Sequence, residues 1–173
     1  MNWSKFEEEI DKSRDLKFQY GTHDCMQFVN RVYKTLKGDV LCPEAVNRYT
    51  TGFGAYRALQ IEAEGDYKKL IDKYLPRIDK NLAQKGDVVL YDTKTEEGDA
   101  IGICLGTQFC GVSFVGLFFL PMQLSKVAWK DLYNASRHSK CSCCDSRIHR
   151  RCIYNGFDYS VSNSFLCNQI FCD

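Results

Sequence analysis

Residues 18–33 read FQYGTHDCMQFVNRVY, and how this stretch folds decides the architecture around it. A glycine-containing loop, Tyr20 to Asp24, runs into Cys25. From there Phe28, Val29, Val32, Tyr33 and Leu36 recur at helical spacing as far as Gly38. Apolar residues three and four apart mark one buried face of a helix, and a glycine just past the last of them is a stop signal. Asp24 stands immediately before the helix, where aspartate is among the preferred N-caps. A cysteine so placed is a candidate nucleophile, because the dipole and free N–H groups of a helix N-terminus favour a thiolate. It is equally a small buried apolar residue at a helix start.

Working outward, "NWSKFEEEIDKSRDL" spaces Trp3, Phe6 and Ile10 three and four apart, which predicts an amphipathic first helix with Ser4 as its cap. Beyond Gly38, "GAYRALQIEAEG" and "DYKKLIDKYLPRI" read as two shorter helices, split at Gly65 and halted by Pro76. The texture then changes. "GDVVLYD", "AIGICLG", "GVSFVG", "LFFLPM" and "LSKVAWK" read as successive strands with short turns between them. Helices first and a run of antiparallel strands after them make an α+β domain.

At 173 residues, 45% hydrophobic and 26% charged, the chain is long enough for one domain with a sizeable core plus an appendage. A net charge of +1 without a Lys/Arg stripe gives no ground for a nucleic-acid partner. The longest apolar run, "FVGLFFLPM", is too short to span a bilayer, so no membrane insertion is expected. "MNWSKFEEEI" has no apolar signal-peptide core, which points to synthesis in a cytoplasm.

The ten cysteines divide the chain. Cys25, Cys42, Cys104 and Cys110 are scattered, and the last three suit core packing. Cys141, Cys143, Cys144, Cys152, Cys167 and Cys172 crowd the end. The expected organisation is a body over residues 1–130 and a Cys-rich C-terminal extension over 131–173. In "HSKCSCCDSRIHRRC", Cys141 and Cys144 form a C-x2-C half-site, with His149 and Cys152 following. Such residues suit tetrahedral zinc, and thiolates of this kind also hold iron–sulfur clusters. Disulfides formed in an oxidising medium, or free thiols, are the alternatives.

A Cys-bearing N-terminal helix followed by antiparallel strands is the chain order of papain-like amidases. "YGTHDCMQFVNRVY" resembles the "DCSGFV" nucleophile helix of NlpC-type cell-wall peptidases. "QKGDVVLYD" resembles their "PGDLVFF" strand, and "AIGICLG" their "HVGIYLG" strand. The body is similar over nearly its whole length to a bacteriophage tail-associated family with this core. That resemblance rests on Trp3, Gly21 to Cys25, Tyr49 to Leu59, Gly86 to Leu90, Gly102 to Gly106, and Phe119 to Trp129. It implies a structural or assembly component of a phage tail, at the tip, residing in the virion and contacting other tail proteins. The alternative it implies is a cysteine peptidase or amidase acting on peptidoglycan during genome entry, with Cys25 as nucleophile.

The same resemblance exposes a gap. NlpC-type enzymes take their imidazole from the first residue of the "HVGIYLG" strand, and the corresponding residue here is Ala100. Their third polar group falls near Phe114 and Val115, which cannot serve. Asp99 adjoins the gap, but a carboxylate is a poor partner for raising thiolate content. His138 and His149 lie outside the resemblance. His23 would have to fold back over the start of its own helix, and reads better as a turn residue. The sequence therefore predicts an enzyme-like scaffold without its catalytic pair.

Overall fold

In the computed structural model of the protein, residues 2–95, 98–131, 152–154 and 157–159 are described. The chain divides into two units, Met1–Lys130 and Asp131–Asp173. In the first, α1 (Trp3–Lys12) buries Phe6 and Ile10, and its N-cap is Asn2 rather than Ser4. The Asn2 Oδ1 accepts from the Lys5 amide at 3.1 Å, so the helix starts early enough to include Ser4 within it. α2 (Cys25–Lys37) is capped by Asp24 and stops at Gly38 in the left-handed region, as its sequence requires. α3 (Gly52–Ala63) and α4 (Tyr67–Asp72) follow, capped by Thr51 and Asp66.

Strands β1 (Arg77–Ile78), β2 (Val88–Asp92), β3 (Asp99–Cys104), β4 (Gln108–Ser113), β5 (Gly116–Pro121) and β6 (Ser125–Trp129) form one sheet in the order β1-β6-β2-β3-β4-β5. Every neighbouring pair is antiparallel. The stretch read as a "GVSFVG" strand is instead a hairpin. β4 begins earlier, Phe114 and Val115 form the turn, and Ser113 pairs with Gly116. Its apolar tip hid the turn from a reading based on polar turn residues.

The strands read as continuous apolar runs because both faces of the sheet are buried. Val88, Leu90, Ile101, Ile103, Cys110 and Val112 pack under the helices with Phe28, Val29 and Val32 of α2. Val89, Tyr91, Ala100, Cys104 and Phe109 form a second cluster on the opposite face. Trp129 is fully buried, and its indole N–H donates to Asp72 Oδ1 at 2.8 Å, tying β6 to the end of α4. α3 buries only Ala63, leaving Phe53, Tyr56 and Ile61 on the surface. No helix among the described residues is long and apolar enough to cross a membrane. In the second unit, β7 (Cys152–Tyr154) and β8 (Phe157–Tyr159) pair antiparallel.

Candidate functional site

The loop before α2 is shaped by one carboxylate. Asp24 is 3% exposed. Its Oδ1 accepts from the Gln27 amide at 2.9 Å and from the Tyr49 hydroxyl at 3.2 Å, while Oδ2 accepts from the Gly21 amide at 2.7 Å. Both oxygens are committed to structure, so Asp24 is a cap and a loop clasp. Gly21 sits at φ +79°, and a Cβ there would lie 1.9 Å from the Tyr49 carbonyl oxygen. Only glycine fits that approach. Gln27 completes the cluster, donating to the Ala45 carbonyl at 2.9 Å.

This clasp presents Cys25 at the first turn of α2, half-buried, on the wall of a cavity of about 650 Å³. Its Sγ lies 3.7 Å from the Tyr67 hydroxyl. Burial, and after it the Asp24 charge, push the thiol up to about 11. The Tyr67 hydroxyl and the backbone at Ile101 and Met26 act the other way, but more weakly. Helix-terminal placement is thus outweighed by desolvation. Tyr67 is itself pushed well above the usual phenol range, by burial first and by the neighbouring thiol next, so it is no proton acceptor near neutral pH.

Ala100, 7% exposed, is the second residue of β3 and lines the same cavity as Cys25. The strand register sets Ala100 opposite Tyr91. The residue that the sequence aligned with the imidazole is therefore a methyl group on the wall of the cavity that Cys25 also lines. Phe114 and Val115 line the cavity from the hairpin tip, and Asp99 lines its edge, where Lys126 pairs with it. Among the described residues no histidine lines the cavity.

His23 turns elsewhere. It is 4% exposed, and its Nδ1 accepts from Arg31 Nη2 at 2.7 Å, while Arg31 also meets Glu9 and the Thr22 carbonyl. Burial, then the Arg31 charge, hold the ring below the usual imidazole range. Its backbone closes the turn with Gln19. This is the turn role its position suggested.

Cys42, Cys104 and Cys110 are fully buried and unpaired, as core residues. The Cys42 backbone also clamps the buried Asn30 side chain, accepting at 3.1 Å and donating at 2.9 Å. Among the described residues no group of three or more His, Cys, Asp or Glu side chains could hold a metal. Cys141, Cys144 and His149 lie outside the described residues, and so does the side chain of Cys152. Sequence reading missed Tyr49, Tyr67 and Gln27. No periodicity marks Tyr49 and Tyr67, because they join the site from other segments, and Gln27, within α2 itself, is a polar residue on a buried turn of the helix.

The fold is similar to the crystal structure of the NlpC/p60 domain of the peptidoglycan hydrolase SagA, at a TM-score of 0.50 and 15% identity, covering 76% of this chain and 100% of that one. No match among curated proteins accompanies it. At that identity the likeness establishes the fold: an NlpC/p60-like, papain-like α+β domain. Residues 1–130 match the family described as "Domain of unknown function (DUF6950)", and the chain belongs to that family.

Proposed function

We propose that this domain is an NlpC/p60-like scaffold that binds without cleaving, and that it serves as a structural or assembly component of a bacteriophage tail, at the tail tip. The observation that carries the first half is the surroundings of Cys25: its Sγ meets the Tyr67 hydroxyl, and no histidine among the described residues lines the cavity it shares with Ala100, whereas a cysteine enzyme needs an imidazole at its thiol. A thiol held near 11 is almost wholly protonated at neutral pH and is a poor nucleophile. A binding role is supported by the cavity and its rim, where Tyr56, Phe114 and Val115 are all more than half exposed. The tail location is supported by the run of local resemblances from Trp3 to Trp129.

Incubation with purified peptidoglycan and stem-peptide substrates is expected to give no turnover. Cleavage that disappears in Cys25→Ser would overturn the binding-only reading. Mass spectrometry of purified virions tests the location, where a fixed copy number is expected and absence from particles would refute it. The second reading is a cysteine peptidase or amidase acting on peptidoglycan. It is favoured by the position of Cys25, on a helix N-terminus facing a cavity of peptide-binding size. It requires a base that no described residue of the cavity supplies, either His23 after its loop rearranges or a neighbouring chain. Alkylation separates the two: under the binding reading Cys25 reacts with iodoacetamide at neutral pH at least about tenfold more slowly than free cysteine, under the enzymatic reading faster.

A further inference from the structure

The outer side of β5 is open. β5 ends the sheet order, and no strand among the described residues pairs with its far edge. Its inner pairing fixes which backbone groups are unused. β4 and β5 keep one register from Ser113↔Gly116 to Gln108↔Pro121, and the next pair along is bonded from the Met122 amide to the Thr107 carbonyl at 3.0 Å. Hydrogen-bonded pairs alternate along an antiparallel ladder, so Gly116, Phe118 and Leu120 bond β4. Leu117 and Phe119 therefore direct their N–H and C=O groups outward, and no loop backbone among the described residues bonds them.

The strand's own side chains offer no charge to guard it, although the Arg14 guanidinium stacks over the Phe119 ring at 4.8 Å. Edge strands are usually guarded by charges, bulges or short length. β5 runs for six residues. The whole stretch from Thr107 to Ser125, TQFCGVSFVGLFFLPMQLS, contains no charged residue. Only Pro121, which has no N–H to offer, limits the edge.

We propose that β5 pairs antiparallel with β5 of a second copy of this chain, joining two six-stranded sheets across a two-fold axis. An isologous contact requires a surface complementary to itself, and this strand meets the requirement in one register. With the axis through Phe118, Leu117 lies opposite Phe119 of the second copy, and the four outward amides and carbonyls form four hydrogen bonds. Moving the axis to Phe119 sets Leu117 against Pro121, which cannot donate. Moving it to Leu117 sets Phe119 against Val115, inside the hairpin turn. The centred register alone uses every outward group and leaves Pro121 beyond the ladder. The strand itself carries no charge and the apposed side chains are Leu and Phe; the Arg14 guanidinium, 4.8 Å from the Phe119 ring centroid, is a positive group that each copy brings to the contact. A foreign strand would gain the same backbone bonds, but nothing on β5 selects its sequence. The pairing uses backbone groups of the edge, while the Phe118 and Leu120 side chains also line the cavity.

Sedimentation velocity of the full chain under reducing conditions, from low to high micromolar concentration, tests this. The expected result is a reversible species of twice the 19.9 kDa chain mass. Leu117→Pro removes one outward N–H and no bond to β4, and is expected to raise the dissociation constant at least about tenfold. Leu117→Ala keeps the amide and must dimerise better than Leu117→Pro; equal loss in the two would refute strand pairing. Where Leu117→Pro fails to fold, Phe118→Cys replaces it. Residues opposed in a non-hydrogen-bonded pair have Cα atoms about 4.5 Å apart, within disulfide reach. Mild oxidation is then expected to join position 118 of two copies, read by mass spectrometry, while Leu120→Cys does not self-link. A monomer at every concentration, which is also the outcome if another protein or the C-terminal unit of the same chain takes the edge, overturns the proposal. So does growth past the dimer into open assemblies.

Discussion

Cys25 shows how a single side chain answers to several neighbours at once. The helix N-terminus, the Tyr67 hydroxyl and the nearby amides favour a thiolate, while burial and the Asp24 carboxylate oppose it and prevail. Cys110, buried in the sheet, is pushed further, up to about 12. These shifts have a consequence for stability. A thiol raised in the folded state stays protonated there at pH values where the unfolded chain has begun to release its proton, from the ordinary value of 9.0. Its contribution is complete below that pH and is lost as pH rises from 9 toward 11 and 12. Thermal melts under reducing conditions are expected to fall across that window, at up to about 1.4 kcal/mol per pH unit for each thiol. A flat profile from neutral pH to pH 11 would show that the thiols are not desolvated as described.

At the scale of elements, α2 is held at its start by Asp24 and beneath by the sheet. Asp24→Ala removes the acceptor of the Gln27 and Gly21 amides and of the Tyr49 hydroxyl together. The expected loss is about 1–3 kcal/mol in chemical denaturation, beyond an ordinary cap because a buried hydroxyl also loses its partner. Asp24→Asn keeps an acceptor at Oδ1 and should recover part of it. Equal losses in the two variants would mean that the carboxylate is not the clasp. Between β3 and β4 the constraint is one of space. A Cβ at Gly102 would lie 2.4 Å from the Cys110 carbonyl oxygen, a backbone atom in the adjoining strand. Gly102→Ala must part the two strands beneath the cavity, with an expected cost of several kcal/mol, on the order of the largest single-residue effects. A stable, unshifted Gly102→Ala variant would contradict this close approach.

For the molecule as a whole, the helix-side cluster runs from Phe6 to Trp129 and the second cluster from Val89 to Ala128. Both lie within the residues that match DUF6950. A chain of residues 1–130 is therefore expected to unfold in one cooperative transition, close to the melting temperature of the full chain, because domains with a continuous core fold as units. Loss of cooperativity on truncation would show that the C-terminal unit contributes to that core. The same whole-chain view explains the rim of the cavity. α3 places Phe53, Tyr56 and Ile61 on the surface, and the β4–β5 tip does the same with Phe114 and Val115. Neither element needs these side chains for its own burial.

What the residues settle locally was legible in the chain. The helix from Cys25 to Lys37, its Asp24 cap and Gly38 stop, and the apolar strands around Val88 and Ile101 follow from short-range periodicity and capping, which need no partner far along the sequence. The first helix was placed by the same signals, although its cap fell on Asn2 because two polar residues competed for one turn. Tertiary structure decided the rest. Tyr67 meets Cys25 across 42 positions and Tyr49 meets Asp24 across 25, and the turn at Phe114 and Val115 is made by strand pairing rather than by turn-forming residues. Contacts between distant segments are fixed by how the sheet and helices pack, and side-chain spacing within one segment carries no record of what will stand opposite it.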